Sequence, residues 1–164
     1  MSGYSVTTII PIREEINMKA LLQNLSVSHS GFAALALRIP ASTIFIAHGA
    51  QKLFGWFGGY GLEGTGQWMG TIGLEPGYFM ALLAGSAEFF CGIFLLLGLL
   101  TRPTALVLAV TMLVAIFAVH FKNGLFMSNN GYEFGLALLA ISVSLMFAGG
   151  GKFGLDNLIA KKLS

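Results

Sequence analysis

Charge is scarce in this 164-residue chain: Asp, Glu, Lys and Arg make up 10% of it, while 55% is hydrophobic. A water-soluble domain carries roughly 25% charged residues to cover its surface, so this composition excludes an ordinary aqueous exterior. A single cysteine, Cys91, excludes an intrachain disulfide and any cysteine-rich metal site. The net charge is only +2 and no basic block is present, which removes the electrostatic footprint of nucleic-acid binding. Flavin and nicotinamide fingerprints are missing as well. The longest apolar stretch in residues 1–31, Ile9 to Ile12 with Pro11 inside it, is too short for a signal-peptide core.

What the chain has instead is long apolar runs and a mean hydropathy of +0.80. Four blocks stand out, at about 32–54, 77–100, 103–121 and 132–148, each about 17 to 24 residues long. At 1.5 Å rise per residue such lengths cross a ~30 Å hydrocarbon layer. Backbone groups have no water partner there, so helices are favoured over isolated strands. The expected fold is all-α, a polytopic transmembrane four-helix bundle spanning residues 32–150. A 1–31 tail, with a short amphipathic helix near Ile16 to Leu25, and a 151–164 tail flank it. Residues 55–76 form a loop rich in glycine and aromatic rings that suits the membrane interface, with a short re-entrant or interfacial helix near Gly66 to Ile72. Thr101 and Arg102 read as a tight turn with Pro103 opening the next helix. With both termini in the cytoplasm, Arg13, Lys19, Arg102, Lys152, Lys161 and Lys162 fall inside, and only Lys52 and Lys122 outside, as the positive-inside rule favours.

Ionisable groups in hydrocarbon cost roughly 2.5–3.5 kcal/mol each on insertion scales, so each needs a reason. Arg38 lies two turns into helix 1 and Glu88 near the middle of helix 2. Their depths differ by about 9 Å, a gap that a long arginine covers in large part, giving either a buried charge pair or an arginine that snorkels to the inner interface. His48, Gln51 and Lys52 share one face of helix 1, and Arg38 lies only about 40° from it. That stripe should face the bundle. His120 and Glu133 fall at the same outer end. The candidate site is thus Arg38, His48, Gln51, Lys52, Glu88, His120 and Glu133: either a polar or quinone-like ligand site with proton-exchanging groups, or solvated helix ends. Two histidines on facing helices could also ligate haem, although nothing else in the chain supports it. Cys91 reads as a buried, inert thiol. No metal is expected. Small residues mark two packing faces: Ala81, Gly85, Glu88 and Gly92 on helix 2, and Glu133, Ala137, Ala140, Ser144 and Ala148 on helix 4.

The ordered set of Arg38, His48-Gly49-Ala50-Gln51-Lys52-Leu53, Glu88 with Gly92, Leu97 to Pro103, Gly131-Tyr132-Glu133, Gly149 to Gly151 and Leu155-Asp156 resembles the DoxX family of small bacterial inner-membrane proteins. The resemblance spans about residues 32–158 and implies a four-helix membrane fold. The family takes its name from a subunit associated with thiosulfate–quinone oxidation, and relatives are described as oxidoreductase components or partners of redox enzymes. Three functions follow as expectations. One is a membrane subunit of a quinone- or sulfur-linked redox system, acting with a redox enzyme partner. The second is a small transporter or permease, and the third a non-catalytic scaffold.

Overall fold

A computed structural model describes Ser28 and residues 31–163, which are mostly helical, without a strand among them. The helix expected near Ile16 to Leu25 lies outside the described residues. Helix α1 runs Gly31–Phe54, α2 Gly61–Thr71, α3 Gly77–Leu97, α4 Thr101–Ala115, α5 Glu133–Ala148 and α6 Leu155–Leu163. A π-helical turn (Ile116–His120) and a 3-10 turn (Phe121–Asn123) extend α4. Three helices are long and apolar enough to cross a membrane: α1, α3 and α4 with its extension to Asn123. The fourth apolar helix, α5, has 16 residues, or about 24 Å.

The sequence sets the helix ends. Gly98 takes the left-handed conformation at φ 64°, and the amides of Gly98 and Leu99 return to Leu95 O and Phe94 O at 3.1 and 2.9 Å. This is the glycine-closed helix terminus, and it stops α3 short of the apolar run that continues to Leu100. Helix α4 then starts at Thr101 rather than at Pro103, because the carboxylate of Asp156 satisfies the free amides of Leu100 and Thr101. The turn is therefore Gly98 to Leu100, not Thr101 and Arg102.

Ala34, Ala41, Phe45, Leu95, Leu108, Met112, Leu138 and Leu145 form the core. The outward faces are apolar too: Leu82, Leu83, Phe90, Leu106, Val107, Val110, Leu113 and Leu136 are all exposed. So large an apolar exterior cannot stand in water, but it matches lipid tails. The molecule is a helical membrane bundle.

Close packing of α1 on α3 rests on glycine. A Cβ on Gly92 would lie 2.9 Å from Ile46 Cγ1 and 3.0 Å from Ile46 N, and one on Gly85 2.8 Å from Leu53 Cδ2. Ala81, Gly85, Glu88 and Gly92 are accordingly all buried, the inward face expected of α3. Gly92→Leu is expected to lower stability by about 1–3 kcal/mol, typical of overpacking. The check is the unfolding midpoint in detergent; an unchanged midpoint would contradict this packing.

On α5 the expectation needs correction. Its buried residues are Gly135, Leu138, Ser142 and Leu145, while Ala137, Ala140 and Ser144 are exposed. Leu138 and Leu145 fill the core, and Gly135 lets Ile116 approach to 3.0 Å from where a Cβ would sit. Lipid accepts alanine and leucine alike, so hydropathy does not distinguish the two faces.

Candidate functional site

The polar residues separate into two groups at opposite ends of the bundle. At the end bearing Gly31, Ala148 and α6, Arg38 is buried at 2% exposure. It donates from Nη2 to Leu96 O at 3.2 Å and from Nη1 to Gly150 O. These carbonyls belong to the last turn of α3 and the glycine stop after α5, where helix ends leave acceptors unsatisfied. Asp156, also 2% exposed, accepts from Leu100 N at 2.7 Å and Thr101 N at 2.8 Å. Its own amide donates to Gly98 O at 2.9 Å. Arg38 and Asp156 thus complete helix termini of opposite polarity in one buried cluster. Gly98 and Gly154 are confined here by the guanidinium, leaving no room for a side chain at either.

Arg38 and Glu88 do not pair. Leu96, which Arg38 grips, is eight residues beyond Glu88 on α3, about 12 Å along the axis. Lys52 takes the place expected for Arg38: its Nζ lies 2.6 Å from Glu88 Oε2. The last turn of α1 brings Lys52 against α3 at Gly85, one turn before Glu88.

Around this ion pair, in the half of the bundle that carries α2 and the two long loops, lies a cavity of about 670 Å³. His48, Lys52, Glu88 and His120 all line it, among apolar side chains from α1, α3, α4 and α5. Three of the apolar lining residues, Leu83 of α3 and Val110 and Val114 of α4, are about half exposed (50%, 51% and 51%). On the α3–α4 side the cavity is therefore not closed by packed side chains, and in a membrane that side meets lipid. Its polar groups are incompletely satisfied. Among the described residues His48 has no hydrogen-bond partner, only a tilted ring contact with Phe134 at 6.0 Å. The hydrogen bond from Lys52 engages one carboxylate oxygen of Glu88 and leaves the other without a protein donor. His48 is exposed, and the buried side-chain atoms left without partners, Arg38 Nε and Thr101 Oγ1 among them, lie elsewhere. The His48 ring and the second Glu88 oxygen are thus accessible groups that a ligand in the cavity can meet.

The extension of α4 shapes the upper wall. A π-helical turn adds a residue to the helical repeat and commonly marks a functional position. Here it places Val119 and His120 on the cavity. His120 Nδ1 is 2.9 Å from Asn130 O. A carbonyl only accepts, so Nδ1 carries the proton and Nε2 of the neutral ring is an acceptor.

A second cavity, of about 500 Å³, lies beside the first, lined by Gln51, Tyr60, Thr65 and backbone of the glycine loop. Lys52 and Trp68 line both. Gln51 Nε2 donates to Phe57 O at 3.3 Å. The loop contains the spacing Gly59, Gly61, Gly64, but this run follows a 3-10 turn rather than a strand, so it lacks the setting of a dinucleotide fingerprint. Glu133 is on neither wall: its Oε1 accepts from Met127 N and its amide donates to Leu125 O at 2.9 Å, fastening the loop before α5. Cys91 packs against the apolar core. Among the described residues no three His, Cys, Asp or Glu side chains gather as a metal site needs.

Of the seven candidate residues, the structure therefore gathers His48, Lys52, Glu88 and His120 on one cavity. It puts Gln51 next door, and sets Arg38 and Glu133 to helix ends and loops. Sequence reading missed the capping role of Asp156; an acidic residue just after a glycine stop was the available signal. Trp68, the ring shared by both cavities, carries no sequence signal beyond its fitness for the interface.

Residues 33–121 match the family model described as DoxX, a span holding all four cavity residues and Arg38. The chain is 35% identical over 127 residues to a Bacillus subtilis protein named "Putative oxidoreductase CatD", covering 77% of this chain and 87% of that one. It is 35% identical over 134 residues to "Inner membrane protein YqjF" of Escherichia coli, covering 78% and 92%. An uncharacterized Haemophilus influenzae protein is 36% identical over 144 residues, 86% of this chain and all of that one. No solved structure matches. With a family model covering more than half the sequence and relatives matched over most of their length, this membrane bundle belongs to the DoxX family.

Proposed function

We propose that this chain is a membrane subunit of a redox system and holds a quinone in the cavity lined by His48, Lys52, Glu88 and His120. One observation carries the reading: an apolar cavity, open to lipid, whose polar groups lack full partners. A quinone reaches a protein through the bilayer, presents a flat apolar ring and offers two carbonyl acceptors. The Lys52 ammonium and the His48 ring are donors for those oxygens. The volume falls in the range of about 300–1,000 Å³ usual for small-molecule sites. Reduction to the quinol takes two electrons and two protons. The electrons come from a redox enzyme partner, and Glu88, with Lys52 reaching the neighbouring cavity of the glycine loop, handles protons. The name of the Bacillus subtilis relative agrees with a redox role. We place the molecule in the bacterial inner membrane with its termini in the cytoplasm and both cavities towards the outer side, as the Lys and Arg distribution favours.

A permease has less support. Below the cavity, Ala41, Leu95, Leu108 and Leu145, each 0% exposed, close the bundle, and the Arg38–Asp156 cluster seals it further. A solute would have no open path through this layer.

The test is quinone binding to the protein in lipid nanodiscs. His48→Ala removes one neutral hydrogen bond and ring contact, so affinity is expected to fall about fivefold to tenfold. The unfolding midpoint should hardly move, because His48 has no protein hydrogen bond to lose. Unchanged affinity would remove His48 from the site.

A further inference from the structure

Helix α6 is built inside out. Two polar residues of its first turn point at the bundle: Asp156 is 2% exposed and caps α4, and Asn157 accepts from Ser28 N at 3.1 Å and donates to Gly151 O at 2.9 Å. These bonds fix how the helix is rotated. At 100° per residue, the opposite face holds Leu155, Leu158 and Ile159, which are exposed at 37%, 56% and 39%. Phe153, 51% exposed, continues this surface and meets the 70%-exposed Phe32 at 5.0 Å between ring centroids. Phe32 lies in the first turn of α1, so the apolar face of α6 runs on into the lipid-facing surface of the bundle. Lys152, Lys161 and Lys162, all exposed, flank it at both ends.

A water-facing helix would turn Asp156 and Asn157 outward and Leu158 and Ile159 inward. The reverse arrangement, next to a transmembrane bundle and edged by cations, fits the headgroup boundary of one leaflet. We propose that α6 is an interfacial helix that lies in the leaflet at the Arg38 end, with Lys152 and Lys162 binding anionic phospholipid headgroups. The occupant follows from the apolar face that runs on into the lipid-facing surface and from charge complementarity, because Lys152 and Lys162 are exposed while Asp156 is buried in backbone hydrogen bonds. The inference does not depend on the quinone reading.

Two measurements on the full chain test it. In a Cys91→Ala background, a spin label at Ile159→Cys is examined in nanodiscs by power saturation with oxygen and with a water-soluble nickel chelate. The expected result is oxygen-favoured accessibility, with Lys122→Cys in the exposed outer loop as the nickel-favoured reference. Leu158→Cys repeats the measurement if the first label perturbs the helix. Separately, phosphatidylglycerol retained over phosphatidylcholine after purification from mixed vesicles should fall about tenfold or more when Lys152 and Lys162 become glutamine, since each lysine near an anionic surface is worth about a fivefold preference. Nickel-favoured accessibility at both labelled positions, or unchanged retention in the double variant, overturns the proposal.

Discussion

Glu88→Gln is expected to lower quinone-dependent turnover about a hundredfold or more, the usual scale for removing a general acid–base group, while the protein still inserts and folds. Glutamine keeps the shape of the side chain but can neither deliver a proton nor balance the Lys52 ammonium 2.6 Å away. Breaking a fully buried pair costs about 3–5 kcal/mol. Lys52 is 24% exposed at its side chain, so solvent screens part of that and a loss of about 1–3 kcal/mol is expected instead. A double variant, Lys52→Met with Glu88→Leu, separates the two roles. Replacing both charges with apolar groups of similar size is often neutral or stabilising, so the double variant should recover most of the stability and none of the turnover. Recovery of both would reduce the ion pair to a packing device; activity is measured in membranes holding the complete redox system.

Arg38→Ala should have the largest effect on stability, about 3–5 kcal/mol. The change removes a buried guanidinium that joins Leu96 O to Gly150 O across two helices. It also removes a guanidinium whose charge acts on the buried Asp156 carboxylate. Arg38→Lys should recover little, because one ammonium on a flexible stem cannot reproduce the planar fork that spans both carbonyls. The affinity of the folded fraction for quinone should stay near the parent value, since Arg38 does not line the cavity. A stable Arg38→Ala variant with lost binding would reverse these assignments.

Reading the sequence succeeded where hydrocarbon makes a residue's choice expensive. Glu88 among Ala81, Gly85 and Gly92 had to face inward, because a carboxylate cannot face lipid tails and small residues mark close approach. The reading failed where two answers cost nearly the same. Arg38 and Lys52 both had the reach to claim Glu88. Three-dimensional features decided between them: the left-handed stop at Gly98 and the glycines after α5 bring two carbonyl ends to the guanidinium. On α5, Leu138 faces inward and Ala140 outward, which hydropathy cannot tell apart in lipid. Residues Leu155 to Leu163 looked like a charged tail because their lysines are conspicuous. Their helical character rests on Asp156 and Asn157, whose partners lie far away in sequence, at Leu100, Thr101 and Ser28.

The sharpest test is photolabelling in nanodiscs with a light-activated quinone analogue, followed by peptide mapping. If the sideways-opening cavity is the ligand site, adducts will concentrate on residues such as Met80, Met112 and Phe134, and excess unlabelled quinone will suppress them. Adducts spread evenly over the lipid-facing side chains and indifferent to competitor would contradict it.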